Sequence, residues 1–421
     1  MADITRQQNL LVAEDWKKVY QSFRNADFQA YDYETLRKAM IDYLRIYYPE
    51  DFNDFIESSE YIALIDTIAF LGQSLAFRAD LNARENYIDT AERRDSILRL
   101  ARLISYSSKR NQNASGFLKF ESVSTTESIT DSEGINLANR VINWNDSTNP
   151  NWSEQFITVM NAAMVTGQRT GKPGNSTTIN GIKNDEYKIN LSATSNNVFP
   201  FQAQVQGSNI NFEVVGATTQ NETYVYEVAP NTLGTFNVLY RNDNQGNASN
   251  DTGWFLYFKQ GTRKAITVNL TESLVNRVVS VNEDNINNSD IWVYKIDNNG
   301  IVNEAWTQVP SVGSSNIAYN KLSQTNRKLY EVNTRLNDQI DIVFGDGVFA
   351  EIPQGSFRVY YRTSNNLTYK ITPDEISNIS FTLNYQNKNN RTETLTIVAS
   401  LKYTVANGQA RDRKSTRLNS S

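Results

Sequence analysis

The stretch QIDIVFGDGVFAEIPQGSFRVYYR, residues Gln339 to Arg362, predicts strands together with the turns that join them. Apolar and polar residues alternate from Ile340 to Phe344, which is typical of a strand, and the Asp-Gly pair that follows suits the positive φ angles of a tight hairpin. A second strand is predicted from Val348 to Ile352 and a third from Phe357 to Tyr361. The predicted turn residues, which are structural and not catalytic, are Gly345, Asp346, Gly347, Pro353 and Gly355.

The composition removes several classes of chemistry. The 421 residues include no His and no Cys. Ser-His-Asp triads, thiolate nucleophiles, disulfides and zinc sites built on these residues are therefore excluded. Any catalysis would depend on carboxylates, Lys or Tyr.

Charge and hydropathy limit the partners. The formal net charge of -5 gives no general attraction to nucleic acid. The chain opens MADITRQQN, which is no secretory signal, and its richest apolar run, Tyr61 to Leu71, contains Asp66 and looks too short to span a bilayer. We expect neither nucleic acid nor a membrane among its partners.

The first part of the chain has helical periodicity. Apolar residues recur at helical spacing, and Gly and Pro are nearly absent before Asn111. The predicted helices are Tyr33 to Tyr47, Glu57 to Ala79, Asp89 to Ser105 and a shorter one over Asp15 to Phe23. They predict a short helical bundle.

From Ala114 onward the sequence is rich in Asn, Thr and Ser, with short alternating runs between turns. The predicted strands are Gly116 to Ser122, Lys188 to Leu191, Phe212 to Val215, Thr223 to Glu227, Thr235 to Tyr240, Gly253 to Lys259, Arg263 to Leu270, Asp290 to Ile296 and Ile376 to Leu383. One further helix is predicted near Ser153 to Met164. Frequent strands with short connections imply antiparallel sheets in sandwiches or small barrels.

These patterns predict a multidomain α+β protein. The predicted divisions are a helical head at 1–112, a β-rich, Asn- and Thr-rich insertion domain at 113–235, and a β domain with the FGDG hairpin at 236–410.

No local motif identifies a catalytic, cofactor or metal site. Gly167 to Pro173 has one residue too few for a phosphate loop, and Pro173 replaces its Ser or Thr. Asp297 to Gly300 resembles the start of a calcium loop, but its Gly comes too early. Neighbouring carboxylates such as Glu57 and Glu60 are common on solvated surfaces. We expect no enzyme and no cofactor.

The apolar stripes of the head have two interpretations. Such a stripe is more often the internal core of its own bundle. The stripe of the longest predicted helix is so broad, however, that a few short helices would leave part of it uncovered, which favours partner helices. The predicted interface residues are Ile62, Leu64, Ile65, Ile68, Leu71, Leu75, Ile97, Leu100 and Ile104.

Phe55 to Phe120 resembles the amino-terminal region of baseplate wedge proteins from contractile-tailed phages of the T-even type. In that family a helix with a D-x-x-A pattern precedes N-A-R-E-like and A-x-x-R-x-S residues. The matching positions here are Asp66, Ala69, Asn82, Glu85, Ala91, Arg94, Ser96 and Ala101. FGDG at Phe344 to Gly347, followed by IPQG and VYYR, is similar to a signature of these proteins and of the broader baseplate J-like family. Marine, cyanophage-type relatives fit best.

The resemblance implies a structural subunit of the virion, assembled in the host cytoplasm. Its partners would be other baseplate wedge subunits, with a homodimer in each wedge and ring contacts between wedges. Such a protein takes part in baseplate assembly and transmits the contraction signal to the sheath.

The carboxyl end departs from this family. Val405 to Arg411, VANGQAR, resembles the lead into a further helical and α/β region of family members. Residues 413–421 resemble translated adapter sequence. We expect a C-terminally truncated chain with a non-native tail.

Two other classes of protein are also compatible with the sequence. A carbohydrate-binding tail fibre or adhesin module would need a concave cleft of aromatic and carboxylate side chains in the β region. A carboxylate enzyme would need two convergent acids in perturbed environments.

Overall fold

The computed structural model describes residues 32–47, 60–87, 89–103, 109–193, 195–219, 224–230, 234–312 and 326–409. The chain divides into two compact units, Met1–Tyr106 and Ser107–Ser421, which we call the head and the body. The predicted helix at Asp15 to Phe23, the interface residue Ile104 and the tail at 413–421 lie outside the described residues. Helices in the head and mainly antiparallel sheets in the body confirm the predicted fold class.

The described part of the head contains three helices. They are α1 (Tyr33–Tyr47), α2 (Glu60–Arg84) and α3 (Arg94–Leu103). α1 packs against α2, because Gly72 has no side chain to collide with Leu36, whose Cδ1 lies 3.2 Å from where a Cβ would stand. Arg37 Nε also donates to Asp66 Oδ1 across this contact at 2.6 Å.

Glu85 organises the turn between α2 and α3. Its carboxylate accepts the backbone N–H of Glu92 at 3.0 Å and that of Arg93 at 3.1 Å, just before α3 begins. A side-chain hydrogen bond from Ser96 is the main reason that the pKa of Glu85 lies below its ordinary value. The buried carboxylate thus satisfies donors that the start of a helix would leave free.

The described part of the body contains one α-helix and nineteen strands. The helix is α4 (Trp152–Ala163). The strands are β1 (Ser115–Thr125), β2 (Ile142–Asn143), β3 (Asn175–Ile179), β4 (Ile182–Asn190), β5 (Val198–Val205), β6 (Ser208–Val215), β7 (Ala217–Thr218), β8 (Tyr226–Glu227), β9 (Thr235–Asn242), β10 (Gly253–Gln260), β11 (Thr262–Leu270), β12 (Val278–Val281), β13 (Ile286–Ile296), β14 (Val302–Gln308), β15 (Leu329–Thr334), β16 (Ile340–Phe344), β17 (Gly355–Thr363), β18 (Ile379–Gln386) and β19 (Thr392–Ala406). Each predicted strand between Gly116 and Leu383 overlaps one of these, except Val348 to Ile352.

Ten of the strands form one antiparallel sheet. Its main order is β18-β19-β1-β10-β9-β4-β3, with β2 beside β1 and the β5-β6 hairpin beside β10. α4 covers the sheet with Phe156, Val159, Met160 and Ala163, which are spaced along one face of the helix and join the largest apolar core.

Seven further strands, in the order β11-β17-β13-β14-β15-β16-β12, form a barrel-like sheet. All seven contribute side chains to one core. Only the β14-β15 pair is parallel. The rings of Trp306, Phe344 and Phe357 meet there with centroids 5.3 to 5.4 Å apart. A separate pair of short strands, β7 and β8, completes the described sheets.

The prediction of a hairpin within Gln339 to Arg362 is wrong. β16 lies between β12 and β15, whereas β17 lies between β11 and β13. The predicted middle strand, Val348 to Ile352, is irregular backbone, because FGDG folds back on itself locally. Gly347 N donates to Ala350 O at 2.9 Å.

The predicted division between 113–235 and 236–410 stays a sequence prediction. In the fold, strands from both segments share the ten-stranded sheet, where β4 pairs with β9 and β1 pairs with β19. The two compact units meet in sequence at Tyr106 and Ser107, close to the predicted end of the head.

Candidate functional site

The surface of α2 carries a row of exposed apolar side chains. Leu64 is 59% exposed, Ile68 49%, Leu71 54% and Leu75 66%, and we call these four residues the α2 stripe. Their successive separations of four, three and four residues follow the repeat of a coiled-coil seam. The stripe is therefore spaced to pack against another helix.

The predicted interface residues separate into two groups in the structure. Four form the α2 stripe, whereas Ile62 and Ile65 lie on the buried face of α2 beside Ala69. Ile97 and Leu100 on α3 are partly exposed. Whether any of them contacts a partner stays a prediction.

Phe70 and Phe77 form a second exposed apolar feature on α2. They are 64% and 67% exposed and lie seven residues apart, two helical turns along one side. The predicted interface residues include neither Phe70 nor Phe77. The seven-residue spacing between them was the signal that could have found them.

The residues of the family-like pattern mostly build the interior of the head. Ala69, Ala91, Ser96 and Ala101 are buried, and the buried Glu85 holds the start of α3. The pattern therefore encodes how the helices of the head pack. On α2, the exposed stripe lies away from the side that carries the buried Ala69.

α2 has the length and composition of a membrane-crossing helix. The span Ile62–Arg84 has 23 residues and a mean hydropathy of 1.4, and 17% of the window is buried. The expectation that the apolar run is too short is wrong, because the helix continues well beyond Leu71. Length and composition alone are weak support for a membrane role, and Asp66 on this helix pairs with Arg37.

Four of the five predicted turn residues lie in the loop between β16 and β17, and Gly355 begins β17. Asp346 Oδ1 accepts the backbone N–H of Val348 at 2.9 Å and that of Phe349 at 3.3 Å. Gly347 has a φ of +87°, and a Cβ on Gly345 would come within 2.2 Å of Ala350 Cβ. In this loop the carboxylate of Asp346 is engaged with backbone.

A buried cluster of charged side chains lies where the sheets of the body meet. It contains three carboxylates and three cations, so it has no net charge. Its members, here called the charge cluster, are Glu213, Glu227, Asp290, Lys259, Arg263 and Arg362. β6 and β10 contribute one residue each from the ten-stranded sheet, β8 contributes one, and β11, β13 and β17 contribute three from the barrel. Ion pairs thus join all three sheets.

Arg362 lies at the centre of the charge cluster. It is fully buried, and its guanidinium donates to Glu213 Oε2 and, at 2.8 Å, to Glu227 Oε1. Its Nε lies 3.6 Å from Asp290 Oδ2. Lys259 Nζ donates to Asp290 Oδ1 at 2.5 Å and lies 3.4 Å from Glu227 Oε2.

The cluster members keep one another charged. Burial by itself would raise the pKa of Asp290, but Lys259 and Arg362 hold that pKa below its ordinary value. Burial lowers the pKa of Arg362, yet Glu227 and Asp290 raise it above the ordinary value. Lys259 behaves in the same way, with its pKa raised by Asp290 and Glu227. All three groups are therefore ionised at neutral pH.

Amide side chains surround the cluster. Asn113 Nδ2 donates to Asp290 Oδ2 at 2.9 Å, and Asn111 Nδ2 donates to Asn287 Oδ1 at 2.9 Å. Nearby, burial is the main cause that lowers the pKa of Arg110 to about 10. The segment that leads into β1 is thus tied to the barrel through polar contacts.

Sequence reasoning missed the charge cluster. The sequence feature that could have indicated the cluster is a charged residue among the apolar and aromatic residues of a strand. Examples are Lys259 in GWFLYFKQ and Arg362 in GSFRVYYRT. The six residues are spread over 150 positions of sequence, from 213 to 362, so only the strand pairing could bring them together. Among the described residues no group of three or more acidic side chains is arranged to hold a metal ion.

Residues 116–404 match a family model described as a domain of unknown function, DUF8360. The chain belongs to the DUF8360 family. The match covers the strands from β1 to most of β19, so the DUF8360 region corresponds to the body.

Residues 32–103, ahead of the DUF8360 region, match a second family model, the N-terminal domain of bacteriophage baseplate proteins. This segment contains α1, α2 and α3, including the α2 stripe. The match supports a phage baseplate protein with a structural role, and hence a component of the phage tail and virion. Comparison with curated proteins and with solved structures gives no significant match.

Proposed function

We propose that this baseplate protein is a wedge subunit of a contractile phage tail of the T-even type. It takes part in baseplate assembly and transmits receptor-triggered rearrangement to contraction of the sheath. The observation that carries the proposal is an exposed apolar helix face within the segment that matches the baseplate N-terminal domain. The resemblance of Phe55 to Phe120 to T-even wedge proteins, marine relatives included, gives the proposal its finer detail.

The physical basis is the hydrophobic effect. Burial of one Leu or Ile side chain contributes about 1.5–3 kcal/mol relative to leaving it exposed. The α2 stripe offers four such side chains in one row, and Phe70 and Phe77 are exposed on another side of the same helix. Association must also offset lost translational and rotational freedom, so a row of this size suits a partner that contributes a matching helix.

The proposed partners are other baseplate wedge subunits and a second copy of this chain within each wedge, with ring contacts between wedges. Assembly would take place in the host cytoplasm. Symmetric association through one helix from each copy would place the same stripe on both sides of the contact. The proposal assigns assembly and not catalysis to the protein, and it includes no cofactor, nucleic acid or membrane.

The test uses the full chain, alone and co-expressed with the other wedge subunits of a T-even-type phage. Size-exclusion chromatography with light scattering would measure self-association, and affinity purification would measure wedge complexes. The double variant Ile68→Asn, Leu75→Asn is expected to abolish association while circular dichroism shows its helices retained. Both side chains are exposed, so their replacement costs the isolated head little.

Val348→Asn is the matched control. Val348 is an apolar residue in the body with 71% of its surface exposed, and its replacement should leave association unchanged. Association that survives the head variant would disprove the role of the α2 stripe. A wild-type chain that forms no complex with wedge subunits would disprove the wedge assignment.

A further inference from the structure

A cavity of about 560 Å³ lies in the body beside the charge cluster. Its walls come from the start of β1 and the segment leading into it, from β8 with the two residues before it, from β10 and from β13. The volume falls within the range typical of small-molecule sites. Nothing in the proposed assembly role uses this cavity.

Aromatic rings form much of its wall. Tyr226, Tyr257 and Trp292 line the cavity, together with Tyr224, which is 60% exposed. The rings of Tyr224 and Tyr226 lie 6.1 Å apart in an edge arrangement. The negative face of an aromatic ring attracts weakly positive C–H groups, and one face of a pyranose ring presents several of them.

Members of the charge cluster also line the cavity. Glu227, Lys259 and Asp290 reach it, and the cluster to which they belong is neutral overall. Glu227 is 4% exposed, and its Oε2 accepts no hydrogen bond among the described residues; the nearest cation is Lys259 Nζ at 3.4 Å. This carboxylate therefore stays paired inside the charge cluster, behind the rings and amides that face the cavity.

Amide side chains complete the polar part of the wall. Gln112, Asn113 and Asn288 line the cavity, and an amide can both donate and accept hydrogen bonds. Asn113 Nδ2 is already directed to Asp290 Oδ2 at 2.9 Å. The site therefore offers donors, acceptors and aromatic faces without an excess of either charge.

We propose that this cavity binds a neutral saccharide, with a pyranose ring against the aromatic side chains and its hydroxyls hydrogen-bonded to the amides. An uncharged ligand matches the neutral cluster, because an ionic ligand would add an unpaired charge to a buried site. Binding of a surface glycan would be a separate activity of a protein whose head serves assembly.

The test is saturation-transfer NMR on the full-length protein with glucose, galactose, N-acetylglucosamine and lactose, and with a purified neutral bacterial polysaccharide. We expect saturation of ring protons for at least one of these probes, and weaker binding of glucuronic acid. Tyr224→Ala and Trp292→Ala should each weaken binding about tenfold or more, which corresponds to about 1.4 kcal/mol. Free sugars and the polysaccharide distinguish a single-ring ligand from an extended glycan, and binding of either supports the proposal.

Tyr87→Ala is the matched control, since Tyr87 is an exposed tyrosine of the head, 69% accessible. It should bind the saccharide as the wild type does. If Trp292→Ala lowers the melting temperature, weaker binding by that variant could come from a damaged fold. The Tyr224→Ala result then decides, because Tyr224 is exposed and its truncation should leave the fold intact. No saturation with any neutral probe, equal binding by Tyr224→Ala and wild type, or tighter binding of glucuronic acid would each overturn the proposal.

Discussion

The head and the body of this baseplate protein distribute apolar and charged side chains in opposite ways. In the head, α2 leaves six large apolar side chains exposed, namely Leu64, Ile68, Phe70, Leu71, Leu75 and Phe77. In the body, five charged side chains are buried at the meeting of three sheets, and the half-buried Arg263 pairs with one of them. Both arrangements are costly in an isolated chain unless other groups offset the cost.

For the body, the balancing partners are in the same chain. Each carboxylate of the charge cluster faces at least one cation, so the desolvation cost is offset internally. For α2, the described residues of the head provide cover for Ile62, Ile65 and Ala69 but not for the α2 stripe. The body thus offsets the cost of its buried charges within one chain, whereas for the head we propose a partner chain that covers the α2 stripe.

The largest expected effect is on the body. Arg362→Met removes the central cation and leaves three carboxylates facing two cations, so one buried negative charge is uncompensated. Removal of one partner from a buried pair costs about 3–5 kcal/mol. Urea unfolding followed by tryptophan fluorescence measures this, since five of the six tryptophans lie in the body.

The matched control is Lys264→Met. Lys264 pairs with Glu283 at 2.5 Å, but both side chains are about two-fifths exposed, 42% and 41%. An exposed pair contributes about 0–1 kcal/mol. Equal unfolding midpoints for the two variants would contradict a structural role for the charge cluster.

The second prediction concerns acid. The pKa of Asp290 is lowered in the folded body, so its contribution to stability is present above its unfolded value of about 3.9 and is lost as pH falls through the folded pKa. The urea concentration at the unfolding midpoint of the body should therefore decrease as the pH is lowered below about 4. Asp290→Asn should be less stable at pH 7 and should show a shallower decline between pH 4 and pH 2. A wild-type midpoint that stays constant down to pH 2 would contradict this.

How far the sequence predicted the fold differs between head and body. The head depends on local periodicity, and α1 was predicted to the residue. The body depends on pairing between distant segments, and β19, which pairs with both β1 and β18, was not predicted as a strand at all. Its sequence TETLTIVASLKYTVA alternates like a strand but is interrupted by bulges in the register with β1.

The candidate sites also differ in how far the sequence predicts them. The residues of the α2 stripe lie on one helix, so their spacing was visible in sequence. The charge cluster and the cavity draw on β6, β8, β10, β11, β13 and β17, and alternation within one strand does not show which strand lies beside it.

A smaller effect is expected from a buried hydrogen bond in the body. The hydroxyl of Tyr385 lies 2.7 Å from Thr125 Oγ1 and donates to Glu127 Oε2 at 2.7 Å, and burial raises the pKa of Tyr385. Tyr385→Phe should destabilise the body by about 1–3 kcal/mol, because the Glu127 carboxylate loses a donor. Tyr224→Phe, at an exposed tyrosine, is the control and should leave the urea midpoint unchanged. A fully stable Tyr385→Phe would show that Glu127 finds another donor.

The smallest effect on stability is expected from a substitution in the α2 stripe of the head. Leu71→Ser removes an apolar side chain that is 54% exposed, and its replacement should change the stability of the uncomplexed head by less than about 0.5 kcal/mol. Ile65→Ser, on the buried face of the same helix, should cost about 2–5 kcal/mol. Thermal melting by circular dichroism at 222 nm compares the two variants in one helix. If Leu71→Ser were as destabilising as Ile65→Ser, then the α2 stripe would be part of the internal core of the head, and the contrast between the two units would disappear.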